Sequence, residues 1–467
     1  MVLSTALLLA AAAFAVAAVW LRWRWASGEG GGGIDVCDAA KFETFRSQLQ
    51  QYDGDARFDL ESESLLGECA VRSTYAAARA LFRESAEAAG FEQSSIPVHG
   101  QEYVTDVAIL RGHPKRFLLH VSGIHGVEGY AGSAAQVTAL QYFAGKTSKR
   151  RAMFEAAPDI SAPTVVFVHA INPFGMANNR RVNEGNIDVN RNFLSDEQLA
   201  AVKSRDPNFA GYVDIDFLLN PVSQIGTAPG WVWLSDIHGL LKVLYAVWAV
   251  GIGSIKRSLV AGNYYKPLGM GFGGYERSAS VEVLINLSKQ LGLDKAEKVV
   301  LLDVHTGLGP SGKDTLVYFG SENAEREAQF RRIFPLERRA GGGEGEEGEI
   351  IGGMKESSKG NGEGSAMAGY ELTVGTTDDF CRDWMAPHLG DENRVCVTQE
   401  FGTVAVVQVG KALMDENYAF HYGSLHEKAV YGERLKACFF LQTTAWARAV
   451  AHRGAKVIMQ AFDDLVG

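Results

Sequence analysis

Three stretches of the chain are apolar almost without interruption: 117–121 (Phe-Leu-Leu-His-Val), 164–170 (Thr-Val-Val-Phe-Val-His-Ala) and 298–304 (Lys-Val-Val-Leu-Leu-Asp-Val). Continuous β-branched and leucine runs of this length predict strands buried on both faces. Residues 104–110 predict a first sheet strand, and 315–319 and 395–398 shorter ones. Between them the spacing predicts helices over 38–51, 73–89 and 134–143, with one long closing helix over 425–450. Strands alternating with helices predict an α/β fold, a three-layer α/β/α sandwich around a mixed, largely parallel sheet.

Two regions interrupt the alternation. Residues 240–255 are apolar, but Lys242 breaks the run and its uncharged part is too short to span a bilayer, so a buried helix is expected. Residues 340–364 contain Gly-Gly-Gly-Glu-Gly-Glu-Glu-Gly and almost nothing apolar, which predicts a solvated, disordered loop.

The N-terminus has its own character. Residues 2–21 are uncharged and almost wholly apolar, followed by Arg22-Trp-Arg-Trp25 and a glycine linker at 28–33. The run is long enough to cross a membrane once, and the Trp/Arg cluster suits an interface. A cleaved signal peptide is the rival reading, but the stretch lacks a basic leading region and exceeds the usual apolar core. Residues 1–27 are therefore expected to be an anchor or signal segment. An uncleaved anchor, with arginines on its C-terminal side, would leave the body in the cytosol. Residues 34–467 then form the single large domain, with cap helices over 34–100 and an insertion over 194–298.

Charge and cysteine content narrow the function classes. The 467 residues carry a formal net charge of -10, which argues against nucleic acid as a partner. Five scattered cysteines (37, 69, 381, 396, 438) suggest neither a disulfide framework nor a cysteine zinc site.

Candidate chemistry gathers at the ends of the predicted strands. Ser122-Gly-Ile-His125-Gly-Val-Glu128-Gly follows the 117–121 strand and opens a helix, so His125 and Glu128 can face one point at the carboxyl end of that strand. His-x-x-Glu alone carries little, since a hydrolytic zinc ion takes about three protein ligands and keeps one position open. His305, just past the 298–304 strand, is the third candidate. After the 164–170 strand come Asn172-Pro-Phe-Gly175, Arg180-Arg-Val-Asn-Glu184 and Asp188-Val-Asn-Arg-Asn-Phe193. An Asn-Arg pair there could grip a carboxylate, because a guanidinium fork matches it bidentately. Glu400, at the end of the 395–398 strand, could serve as a general base beside the ion. Gly307-x-x-x-x-Gly312-Lys313 nearly matches a phosphate-binding loop, but Asp314 stands where a Ser or Thr would hold magnesium, so no nucleotide is expected.

Taken together, His125-x-x-Glu128, Asn172-Pro-x-Gly175, Asp188-x-Asn190-Arg191, His305 and Glu400 resemble the zinc-carboxypeptidase superfamily, of carboxypeptidase A type. The wording Ser-Gly-Ile-His-Gly-Val-Glu-Gly and Asp303-Val-His-Thr-Gly307 resembles a branch catalogued as a domain of unknown function. The resemblance, over roughly 104–450, implies one zinc ion on His125, Glu128 and His305, with Asp188 orienting His125. It implies Arg181, or failing that Arg180, at the oxyanion, Asn190 and Arg191 on a substrate carboxylate, Glu400 as base and Tyr370 on the substrate side.

The expected activity is zinc-dependent hydrolysis of an amide beside a free carboxylate, by a metallocarboxypeptidase. An N-acyl-amino-acid deacylase resembling aspartoacylase and succinylglutamate desuccinylase is the alternative, and a catalytically inactive membrane-tethered binder the third. Substrates would be peptides or N-acyl amino acids. The insertion and the acidic loop exceed what such a peptidase usually carries, and both can reshape the pocket.

Overall fold

The computed structural model describes residues 37, 69–144, 152–154, 162–223, 232–318, 324–335, 349–351 and 372–466. The chain divides into two units, Met1–Asp35 and Val36–Gly467, and every described residue lies in the second. The 2–21 segment, the 38–51 helix and Tyr370 lie outside the described residues.

Eight strands are described: β1 (Glu92–His99), β2 (Tyr103–Leu110), β3 (His113–Ser122), β4 (Pro163–His169), β5 (Lys298–Ser311), β6 (Asp314–Tyr318), β7 (Glu349–Ile351) and β8 (Arg394–Gly402). They form one mixed sheet in the order β1-β2-β4-β3-β5-β8-β6-β7. The central four, β4-β3-β5-β8, are parallel, β2 and β6 run antiparallel to that core, and β1 runs antiparallel to β2.

Described helices of ten residues or more are α1 (Tyr75–Ala88), α2 (Gly129–Ala144), α3 (Val232–Val250), α4 (Ile252–Ala261), α5 (Ala279–Leu291), α6 (Ala324–Ile333), α7 (Val406–Tyr422), α8 (Leu425–Phe439) and α9 (Thr444–Val466). The period-two alternation of the strands sends successive side chains to opposite layers. On β5, Val300, Leu302 and Val304 join the core under α1, α2, α6 and α9, whereas Val299 and Leu301 join the core under α5. Both faces of the central strands are thus covered, which explains their unbroken apolar sequence.

Several expectations need correction. The closing helix is two helices, α8 and α9. Phe440 leaves helical geometry at the end of α8, and the Thr443 hydroxyl accepts the Trp446 N–H to start α9. The 34–100 region is not helical throughout, because 92–99 forms the edge strand β1, mostly exposed and carrying Pro97. Within 340–364, Glu349–Ile351 pair with β6 as β7.

The 240–255 stretch is helical but not buried. It falls in α3 and α4, which bend by 103° across Gly251, a glycine at φ +80°. Its neighbours cover only part of the apolar surface of α3: Ala246 is buried while Trp248 is 81% exposed. Among the described residues, no single helix is long and apolar enough to cross a membrane.

Four of the five cysteines pair, Cys37 with Cys69 and Cys381 with Cys396, contrary to the sequence reading. Spacing could not show this, because each partner is brought in by tertiary structure.

Candidate metal centre

The parallel strands β3 and β5 lie side by side, so residues at their carboxyl ends meet. Beyond Ser122 the chain turns at Gly123, with φ +67°, and His125 precedes a short 3-10 turn, Gly126–Glu128, that runs into α2. The turn is stitched down by backbone bonds, with the Gly126 N–H donating to Arg181 O at 3.0 Å and the Val127 N–H to Arg180 O at 2.8 Å. Gly126 is required for this approach: a Cβ there would fall 2.2 Å from the Gly175 carbonyl carbon.

His305 sits within β5 rather than just past its end, since β5 continues to Ser311. Its Nδ1 is 3.0 Å from His125 Nδ1 and 3.2 Å from Glu128 Oε2, and His125 Nδ1 is 3.0 Å from Glu128 Oε1. Three buried ligand atoms, two imidazole nitrogens and a carboxylate oxygen, thus lie within 4.8 Å of one another and are able to hold a metal ion.

A ring of partners orients them. His125 Nε2 is 3.1 Å from Asp188 Oδ1, and His305 Nε2 is 2.7 Å from Asp303 Oδ2. Each imidazole therefore turns its Nδ1 inward and engages a carboxylate through Nε2, the arrangement that fixes the tautomer of a metal-binding histidine. The Thr377 hydroxyl donates to Asp303 Oδ2 at 2.6 Å, and the Thr306 N–H donates to Glu128 Oε2 at 2.9 Å. Asp303 was not singled out from the sequence as a functional residue. The signal was present: in Asp303-x-His305, positions two apart on a strand share a face.

Burial alone would raise the pKa of Glu128 and Asp188, yet both are held well below the usual carboxylate range. His125 and Arg181 lower both groups, with His305 acting also on Glu128 and Arg191 on Asp188. Burial alone would lower His305, but Asp303 and then Glu128 raise it well above the ordinary imidazole value. The carboxylates of Glu128, Asp188 and Asp303 thus stay ionised or paired against the two imidazoles in a buried site.

Glu400 is opposite His305 in the β5/β8 register. Its Oε1 accepts the Leu308 N–H at 2.9 Å, and burial, followed by the nearby Glu128 charge, pushes its pKa up to about 7. Arg181 lines the same cavity and reaches Glu128 Oε1 at 2.8 Å and Asp188 Oδ2 at 3.5 Å. Asn190 and Arg191 also line it. Asn190 Oδ1 accepts the Thr377 N–H, while Arg191 donates from Nε to Val260 O and from Nη1 to Asn190 O. Arg180 points away from this group. It is fully buried, paired with Glu416 at 2.6 Å and lying 3.4 Å over the Phe420 ring.

The cavity encloses about 410 Å³. Residues of the 194–298 stretch form part of its wall, among them Leu259, Val260 and Met270, as do Val409 and Leu413 of α7.

No functionally curated protein matches the chain. Solved structures give weak likenesses. A protein from Shewanella amazonensis described as a candidate metallopeptidase is 12% identical, with 77% of this chain and 91% of that one covered and a TM-score of 0.32. A metallo-carboxypeptidase from Pseudomonas aeruginosa, in complex with (2-guanidinoethylmercapto)succinic acid, is 13% identical, with coverage of 82% and 68% and a TM-score of 0.36. A succinylglutamate desuccinylase/aspartoacylase from Rhodobacter sphaeroides is 12% identical, with coverage of 71% and 65% and a TM-score of 0.27. At the level of sequence the match is direct: residues 72–453 fit the model of DUF2817, a protein of unknown function, and the chain belongs to that family.

Proposed function

We propose that this protein is a zinc-dependent hydrolase that cleaves an amide bond next to a free carboxylate, in the manner of a metallocarboxypeptidase. The observation that carries the reading is the convergence of His125 Nδ1, His305 Nδ1 and the Glu128 carboxylate beside Glu400 and Arg181. Two imidazoles and one carboxylate form a donor set suited to hydrolytic zinc. Zinc bound there supplies Lewis acidity, which makes water nucleophilic near neutral pH and polarises the amide carbonyl.

The chain's own groups do the rest. Glu400, opposite His305 in the strand register, takes a proton from the attacking water and returns it to the departing amine. Arg181 holds the carbonyl oxygen as negative charge develops on it. Asn190 and Arg191 receive the substrate carboxylate and so fix the scissile bond, while Asp188 and Asp303 hold the two histidines in register.

The test compares wild type with Glu400→Gln after zinc loading of the full chain, using peptides and N-acyl amino acids. The variant should bind one zinc ion per chain and lose at least about a hundredfold in kcat. Turnover equal to wild type would remove Glu400 as the base, and zinc stoichiometry near zero in wild type would remove the metal centre.

A further inference from the structure

The cavity's two ends are framed by different elements, with aliphatic surface from Val260 at the Arg191 end as well. At one, Arg191, Asn190 and Thr377 are knitted to the end of α4 through Val260 O. At the other, Leu308 of β5, Val406, Val409 and Leu413 of α7 and Phe439 of α8 line the space beside Glu400, with the polar Glu416 and Asn417 further along α7. The Phe439 ring belongs to this second end: a Cβ built on Gly307 would lie 3.0 Å from its edge and 3.8 Å from Glu400 Oε1.

Val409 and Phe439 belong to a satellite apolar cluster separate from the two cores that flank the sheet, with Leu413 packed on its margin. That cluster packs α7 and α8 over the end of β5 and presents aliphatic and aromatic surface to the cavity. Val406 is 62% exposed at its rim.

We infer that this end is an acyl-chain subsite, and that the substrate is an N-acyl amino acid whose acyl group is a long aliphatic chain. The inference rests on the hydrolase reading and names its substrate class. The carboxylate of the amino acid faces Asn190 and Arg191, the scissile carbonyl faces His125, Glu128 and His305, and the chain runs along Val409, Leu413 and Phe439. Water's oxygen forms the new C–O bond as the C–N bond breaks. One water proton passes through Glu400 to the departing nitrogen and the second follows from the new carboxyl group, leaving a fatty carboxylate and a free amino acid in its ammonium form.

Binding separates this subsite from the chemistry. The probes are acetyl-, hexanoyl- and decanoylglycine, titrated calorimetrically below their micellar concentrations into zinc-loaded full-length Glu400→Gln protein. Affinity should rise about threefold to fourfold per added methylene until the cavity is filled. In the same background, Leu413→Asp should abolish the gain, and Val409→Trp, which fills the space, should end it at a shorter chain. Circular dichroism identifies any variant that fails to fold, and the length series in the parent protein decides the matter without the wall variants.

Affinity independent of chain length overturns the subsite. So does a gain for glycine dipeptides with bulky apolar N-terminal residues that straight acyl chains do not share. Length-dependent binding with no turnover of any amide by wild type would overturn the hydrolase reading and leave the subsite standing.

Discussion

The Nε2 of His305 lies 2.7 Å from Asp303 Oδ2, and the same oxygen accepts the Thr377 hydroxyl proton. This chain of contacts aims the opposite nitrogen of the ring at His125 and Glu128. Asp303→Asn keeps the shape but removes the charge, so zinc affinity should fall about 10- to 100-fold while the fold persists. Competition with a calibrated chelator, alongside thermal melting, measures both. Thr377→Val should weaken zinc in the same direction by a smaller factor, because it leaves the carboxylate in place.

Gly126→Ala is expected to be far more damaging than an alanine at an ordinary turn. The added methyl would sit 2.2 Å from the Gly175 carbonyl carbon, and backbone on both sides has to move. Loss of about 3 kcal/mol, the upper end for overpacking, is expected. Urea titration should show it, together with weakened zinc binding, since His125 and Glu128 flank the displaced residue.

His169 provides a pH signature away from the candidate metal centre. It is fully buried, stacked on Phe82 at 4.7 Å, with Nε2 3.0 Å from Ser133 Oγ. Burial lowers its pKa to about 4, with Asp106 partly opposing and Arg79 adding to the effect. The unfolded chain, titrating near 6.5, then binds more protons than the folded one between pH 6.5 and 4. Stability is therefore present above that window and is lost as pH falls through it, by about 2 kcal/mol at pH 5 from this residue. Comparing urea unfolding at pH 7 and pH 5, a His169→Gln variant should lose less stability on acidification by about that amount.

Thiol counting tests the cysteine pairing. Cys438 is free and buried, and the other four are joined. Unfolded without reductant, the oxidised protein should take up one alkylating group, and after reduction five, as read by intact mass. Two or more without reductant would contradict the pairing of the isolated protein.

Much of the sheet and the metal cluster was legible because the relevant physics is local. Strands 117–121, 164–170 and 298–304 announce themselves by apolar runs that only a doubly covered sheet tolerates, and parallel strands place their carboxyl ends together. His125, Glu128 and His305 lie at those ends, but only the ordered set of the other motifs singled them out. The edge strand β1 was missed because its side chains are mostly exposed and Pro97 interrupts the pattern. The exposed face of α3 was misread because an apolar sequence reports what a helix could bury, not what its neighbours cover. Arg180 and Arg181 are adjacent and chemically identical. Only packing sends one beneath Phe420 and the other into the cavity.

The anchoring of Arg191 has a wider consequence. Its guanidinium is tied to Val260, its carbonyl accepts the Tyr264 hydroxyl at 2.8 Å, and two glycines close on it, since a Cβ on Gly375 would fall 2.7 Å from its carbonyl carbon and one on Gly262 3.3 Å from its Cγ. The entropy of ordering that side chain is thus spent during folding rather than at each encounter with a ligand. A transplant of the 188–193 loop into another scaffold would carry the right letters without their brace, and trimming the 194–298 stretch would release the arginine it was meant to spare.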